Sequence, residues 1–373
     1  MNKDKILKNI DSLSNNAMFN ISLTSKELFH TNFWTWLLRK YPNIFACAFD
    51  LEHETNCKFE ISREKNHFDL CIETKDEIII IENKLKSFPN KKQLEEYAKY
   101  ETNKKKKLIL ISYFKPLNLK TICQWKYLSY KDLYNRIKKC FVSAKDSDFY
   151  NNDKIIIQDY IEFLRLLVEF QDNIEIFQAD KISDIWDFTK DFELQKKLNK
   201  INFAKTFERV VNAKITELVL DKFEFTNDID EIRIDCGRDL KVFSDILFYF
   251  PNAWSEDETK RQDLCFLGIS LWEKDYRYYA GLHKKQCGIN DIKKGRYDKE
   301  NKNLGFKYLS DNYAWLFNQE NTCKWNGYSN NDEMYLYKKL DISELSVKDL
   351  VEKVVLDLEL IYFYVKALEE TNV

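Results

Sequence analysis

The chain has 373 residues, of which 44% are hydrophobic and 15% aromatic, enough for two domains with their own cores. Its 59 Lys and Arg against 61 Asp and Glu leave a formal net charge of -2, which excludes a general polycation; nucleic acid would have to be bound through local patches or metal. Nine cysteines without a CxxC pair argue against a zinc ribbon and against a secreted disulfide framework, and a reducing cytosol is the simple reading.

The start, MNKDKILKNID, lacks the apolar core of a signal peptide. The most apolar late stretch, Leu356 to Val365, carries Asp357 and Glu359 and is too short to span a bilayer. These features predict a soluble, cytoplasmic protein with no membrane partner. Gly (7) and Pro (4) are scarce, so long flexible linkers are not expected. No internal repeat or low-complexity segment is present.

Residues 1 to about 20 read as a helix and a loop. Thr24-Ser-Lys-Glu27 then opens a helix to Lys40, stopped by Pro42, with Leu28, Phe29, Phe33, Trp36 and Leu37 on its apolar face. Glu27 is the fourth residue of a capping box with Thr24. Phe59 to Arg63 reads as a first strand and Phe68 to Glu73 as a second. Thr74-Lys75-Asp76 is a tight turn into Ile78 to Ile81. That run is short and entirely β-branched, which suits a strand covered on both faces. Side chains alternate along it, so Glu82 and Lys84 emerge on one side and Asn83 on the other.

Folding this hairpin can bring Asp69 beside Glu82. Two such carboxylates repel each other and lose hydration, and a divalent cation relieves both problems. Hard oxygen ligands favour Mg²⁺ or Mn²⁺ over Zn²⁺. Lys84 adds a positive charge that can orient a water or stabilise charge on a phosphate. The alternative is a structural Asp69 and a surface pair between Glu82 and Lys84. The place of Glu82 after four isoleucines, at the end of a central strand, favours the metal site.

Phe88-Pro89-Asn90 leads into a helix from Lys91 to about Thr102, on which Gln93 and Tyr97 share a face. Gln93 can hold a water or a phosphate, and Tyr97 can donate to a backbone phosphate. Alternatively, Asn90 and Gln93 cap the helix and Tyr97 packs on the sheet. Lys104 to Lys107 can contact phosphates, but a solvated loop before the strand Leu108 to Tyr113 is the simpler reading. Tyr127 to Tyr130 is a further strand, Ser129 and Asp132 cap the next helix, and Ile155 to Phe170 is an apolar helix closing the domain. Residues 1–175 thus read as an α/β core with a mixed central sheet flanked by helices.

Residues 176–373 read as an α+β accessory region. Helical patterns cover Ser183 to Leu198, Phe203 to Phe223 and Val347 to Ala367. Strand patterns cover Glu231 to Asp235, Val242 to Phe250, Cys265 to Trp272 and Tyr276 to His283, the last two as a hairpin. Trp272, Tyr276, Tyr278 and Tyr279, with Lys284 and Lys285 behind them, can stack bases and bind phosphates. An amphipathic hairpin packed on helices has the same composition and is the simpler reading.

Asp69, a hairpin and Glu82-Asn83-Lys84 resemble the D…(D/E)xK signature of the PD-(D/E)xK nuclease superfamily. Gln93-Leu-Glu-Glu-Tyr97 resembles the QxxxY motif of its RecB/λ-exonuclease-like branch, and IIIENK, QLEEY, LILISY and LSYKDL together are similar to bacterial members of the PDDEXK type. The resemblance covers roughly the first 170 residues and departs in having Phe68 where a proline can precede the first acid. It implies a restriction-endonuclease-like core and a Mg²⁺- or Mn²⁺-dependent nuclease acting on DNA, in phage defence or restriction. Asp69, Glu82, Lys84 and Gln93 would be catalytic and Tyr97 would touch substrate. Glu27, Asp69, Glu82 and the carbonyl of Asn83 would hold metal. The region 176–373 would recognise substrate, a partner protein or a second copy. Two readings stay open beside it: an RNA- or tRNA-cutting toxin on the same core, and an inactive nucleic-acid-binding or assembly module.

Overall fold

A computed structural model describes residues 2–23, 26–51, 60–89, 91–116, 124–176, 179–223, 232–235, 245–250, 265–272, 275–283, 326–329 and 333–371. Thr24, Phe59, Asn90, Glu231, Val242, Lys284 and Lys285, which figure in the expectations above, lie outside these residues. The chain forms two compact units, 1–175 with 192–210, and 176–191 with 211–373.

The first unit is α/β. Helices α1 (Lys3–Asn15), α2 (Ala17–Ser22), α3 (Lys26–Lys40) and α4 (Pro42–Phe45) precede the sheet. Pro42 both ends α3 and opens α4, where its missing N–H costs nothing. The sheet has the order β1 (Glu60–Ser62), β2 (Leu70–Glu73), β3 (Glu77–Lys84), β4 (Lys105–Ser112) and β5 (Trp125–Ser129). β1, β2 and β3 are antiparallel neighbours, whereas β3, β4 and β5 run parallel. The isoleucine strand is therefore central, and Ile78 to Ile81 are at most 2% exposed.

Helix α5 (Lys91–Ala98) is the crossover from β3 to β4, and Leu94 packs with Phe68, Cys71, Ile78, Ile80 and Leu110 on one face of the sheet. It ends earlier than the pattern predicts, because Lys106 Nζ donates to the carbonyls of Ala98 and Tyr100 and caps it. The lysine run is also not a loop: Lys105 to Lys107 belong to β4. Two acids draw it into the sheet. Lys104 pairs with Glu73 at 3.1 Å, and Lys105 and Lys107 pair with Glu77 at 3.2 and 3.0 Å.

Ser129 and Asp132 form the expected capping box of α6 (Tyr130–Ser143). Helix α7 (Asn151–Asp172) follows, and its Tyr160 and Phe163 surround His30 and Trp34 of α3. Tyr160 OH accepts from Trp34 Nε1 at 2.6 Å and lies 2.7 Å from His30 Nδ1. Cys47 and Cys140 are free thiols with sulfurs 2.9 Å apart.

The helical pattern from 183 to 198 is broken into α8 (Ile182–Thr189) and α9 (Phe192–Lys200), and α10 (Ala204–Lys222) follows. In the second unit, β6 (Ile232–Asp235), β7 (Asp245–Phe250), β8 (Cys265–Trp272), β9 (Asp275–His283), β10 (Asn326–Ser329) and β11 (Glu333–Asp341) form one antiparallel sheet, ordered β10-β11-β9-β8-β7-β6. The predicted hairpin is the β8–β9 pair, in which Trp272 faces Asp275. β10 and β11 escaped the sequence reading. Helix α11 (Val347–Thr371) packs on β7 and β8. Tyr276 and Tyr278 are buried beneath it and both donate to Asp357 Oδ2, at 2.7 and 2.9 Å. These tyrosines anchor a helix, as the simpler reading held. No described helix is long and apolar enough to cross a membrane.

Candidate metal centre

The β2–β3 hairpin brings Asp69 and Glu82 to one end of the central sheet. Leu70 pairs with Ile81, so Asp69 and Glu82 are the next residues out on adjacent strands. Asp69 Oδ2 accepts the backbone N–H of Asn83 at 2.7 Å, which fixes its carboxyl against β3. Glu82 and Lys84 leave β3 on the side of α5, as the alternation predicts, and Asn83 leaves on the other.

Glu82 is 1% exposed, and its Oε1 is paired with Lys84 Nζ at 2.6 Å. A buried carboxylate with so few partners is costly in its charged form. Burial and then the charge of Asp69 push Glu82 up to about 7, against the pull of Lys84. Asp69 is also raised, first by burial, with the Asn83 N–H and Lys84 opposing. Burial lowers the Lys84 ammonium, but Glu82, Asp69 and Glu27 outweigh it and its pKa ends above the ordinary value. The ammonium therefore stays charged.

Asn83 is fully buried and serves as a structural tie. Its Nδ2 donates to the Glu27 carbonyl at 3.0 Å, and its Oδ1 accepts from Tyr130 OH at 2.8 Å. One side chain thus joins β3 to the start of α3 and the start of α6. Glu27 uses Oε1 to hold the turn after β3, accepting from the N–H groups of Leu85 and Lys86 and from Ser87 Oγ, at 3.1, 3.2 and 3.0 Å. Among the described residues no group of three or more acids, histidines or cysteines is arranged to hold an ion. Asp69 and Glu82 are a pair.

Gln93 and Tyr97 are coupled across one helical turn: Gln93 Nε2 donates to Tyr97 OH at 2.9 Å, and Tyr97 OH donates to the carbonyl of His67 at 2.7 Å. His67, Asn66 and Glu64 have φ of 68°, 55° and 54°, the left-handed region that non-glycine residues rarely adopt. This loop runs directly into Asp69, so the two motif residues brace a strained approach to the first acid.

Two cations at the site escaped the sequence reading. Lys86 and Arg209 are half-buried, and burial lowers both, while Glu27 pulls both back up. Arg209 lies on α10, far along the chain, and carries no local motif. Lys86 was legible only as the residue two past Lys84.

No protein-family model, curated protein or solved structure matches the chain.

Proposed function

We propose that the chain is a metal-dependent nuclease of the PD-(D/E)xK type that hydrolyses phosphodiester bonds, with DNA as the first substrate. The observation that carries this reading is Glu82: a carboxylate at the end of a central strand, 1% exposed, beside Asp69 and paired with Lys84 at 2.6 Å. The mixed sheet, with its parallel crossover through α5, supports a restriction-endonuclease-like core.

Asp69 and Glu82, with the Asn83 carbonyl, would hold Mg²⁺ or Mn²⁺. Two carboxylates suit Mg²⁺, which keeps several waters and takes the rest of its ligands from substrate phosphates. Such a cation supplies a lowered water pKa and an offset to phosphate charge. The Asn83 N–H holds one oxygen of Asp69. Lys84 stays protonated and stands where it can orient the attacking water or stabilise developing charge. Glu27 fixes the turn that carries Lys86, and Lys86 and Arg209 add positive charge around Glu27. Gln93 and Tyr97 keep the Asp69 loop in place. Restriction or phage defence is the setting the resemblance implies.

The test is incubation with single-stranded DNA, duplex DNA and RNA in Mg²⁺ or Mn²⁺, and again in EDTA. Cleavage that needs the metal and falls at least 100-fold in Lys84→Met supports the reading. Cleavage in EDTA, or at the normal rate in Lys84→Met, overturns it. Cleavage of RNA alone moves the substrate to RNA on the same core. A second reading, a module that binds without cutting, draws on one observation: no third acid joins the pair among the described residues. Binding without cleavage in either metal would select it.

A further inference from the structure

Helix α3 buries one stripe and exposes another. His30, Trp34, Leu37 and Leu38 are fully buried. The opposite stripe is Asn32, Thr35, Trp36, Arg39 and Lys40, at the i, i+3, i+4, i+7, i+8 spacing of one helix face; Asn32, Arg39 and Lys40 are exposed, Trp36 is half-buried and Thr35 is buried. With Arg63, just past β1, these residues line an open cavity of about 480 Å³. That volume is in the range of small-ligand sites. Three cations and an indole line it, and no acid does.

The groove is built rather than incidental. Arg39 Nη2 donates to the Ile61 carbonyl at 2.7 Å, which fixes the guanidinium beside β1 and leaves the rest of its donor fork for a ligand. Lys40 pairs with Asp153 at 2.5 Å and stands 5.9 Å from the centroid of Trp36. Phe33 and Tyr41 brace the indole, with centroids at 5.2 and 6.1 Å. Arg63 is exposed.

The register relates the groove to the acids. Ser62 pairs with Cys71, and Cys71 with Ile80. One residue on, Arg63 is level with Leu70 and Ile81, a single residue short of Asp69 and Glu82. β1 and β3 are two strand spacings apart, about 10 Å.

We propose that this groove binds a single-stranded stretch of nucleic acid, with a base on Trp36 and phosphates on Arg39 and Arg63. The choice of ligand rests on the nuclease reading. A bare phosphate would leave the indole unused, and an apolar ligand would leave three cations desolvated. A strand with exposed bases uses both, whereas a duplex keeps its bases in the stack.

The test is fluorescence anisotropy in EDTA with a 5′-fluorescein-labelled 12-nucleotide DNA, the same sequence as RNA, and a duplex. Wild type is expected to bind single strands at least tenfold more tightly than duplex. Trp36→Leu and Arg63→Gln should each weaken single-strand binding at least fivefold, and Arg63→Gln should flatten the salt slope by about one. Lys131→Gln, on an exposed residue of α6, should bind as wild type does. If Trp36→Leu melts early, Trp36→Phe and the charge reversal Arg63→Glu replace it, and Arg63→Glu should weaken binding further than Arg63→Gln. Equal binding by the groove variants and wild type, or equal binding of duplex and single strand, overturns the groove. Displacement of the strand by adenosine monophosphate at equal concentration would assign the cavity to a free nucleotide and overturn the strand. Lys84→Met separates this inference from the nuclease reading: it should keep strand affinity while losing cleavage. Metal-dependent cleavage that persists beside unaffected groove variants sinks only the groove.

Discussion

Asn83 donates its backbone N–H to Asp69 Oδ2 at 2.7 Å while its side chain, on the other side of the strand, joins Tyr130 to the Glu27 carbonyl. One residue therefore positions the first acid and ties the sheet to two helices. Removing the hydroxyl in Tyr130→Phe leaves Asn83 Oδ1 buried without that donor. The expected cost is about 1–3 kcal/mol. Asn83→Ala breaks both side-chain bonds and should cost more, though the backbone bond to Asp69 survives. Urea denaturation of both variants checks this; equal stability for all three proteins would mean that the buried bonds contribute nothing.

The pH dependence follows from Glu82. Its carboxyl is raised from 4.5 to about 7, so the folded protein holds that proton better than the unfolded chain does. Stability from this source is complete below the ordinary value and is lost as pH rises from about 4.5 to about 7. At about 1.4 kcal/mol per unit, the loss is on the order of 3 kcal/mol. Chemical denaturation in EDTA between pH 5 and 8 should show the decline, and Glu82→Gln should flatten it. A divalent cation competes with the same proton, so Mg²⁺ should raise the melting temperature more at pH 8 than at pH 5.5.

Lys84→Met should cost stability as well as activity. It leaves Glu82 buried with no positive charge beside it, which at pH 8 costs about 3–5 kcal/mol. Below pH 6 Glu82 takes up a proton and the cost should shrink. Thermal melts of wild type and variant at pH 5.5 and pH 8 give the difference directly; a pH-independent gap would show that the pair is not electrostatically coupled.

Tyr97→Phe removes the donor that holds the His67 carbonyl and the bond it accepts from Gln93. The site of the change is exposed at the carbonyl, so stability should fall by less than about 1 kcal/mol. The Asp69 loop becomes free to shift, and a misplacement near 1 Å can cost up to about 100-fold in rate. The expected signature is a lower kcat with little change in melting temperature. Equal kcat for Tyr97→Phe and wild type would reduce the motif tyrosine to a packing residue.

The sheet and the placement of the acids were legible because each has a local cause. Four β-branched residues in a row specify a buried strand, and Thr74 to Asp76 specify the turn that brings Asp69 and Glu82 to one end. The capping box of Ser129 and Asp132 fixed the start of α6 to the residue. The lysines of β4 were misread because their place depends on Glu73 and Glu77, partners on other strands. The same holds at the site. Nothing local to Glu27 announces that its carboxyl caps the turn after β3, and Arg209 reaches the region only through the packing of α10. The groove on α3 was hidden for a related reason: Trp36 reads as one more apolar residue until the neighbouring strand brings Arg63 beside it.

As proposed, the Asp69–Glu82 pair holds a divalent cation. Calorimetric titration with Mn²⁺ at pH 8 tests it without any substrate. Wild type should give saturable heat that falls at least tenfold in apparent affinity in Glu82→Gln and in Asp69→Asn, and that weakens for wild type at pH 5 as Glu82 takes up its proton. Saturable binding that is unchanged in both variants, or no binding to folded wild type at millimolar Mn²⁺, would contradict it.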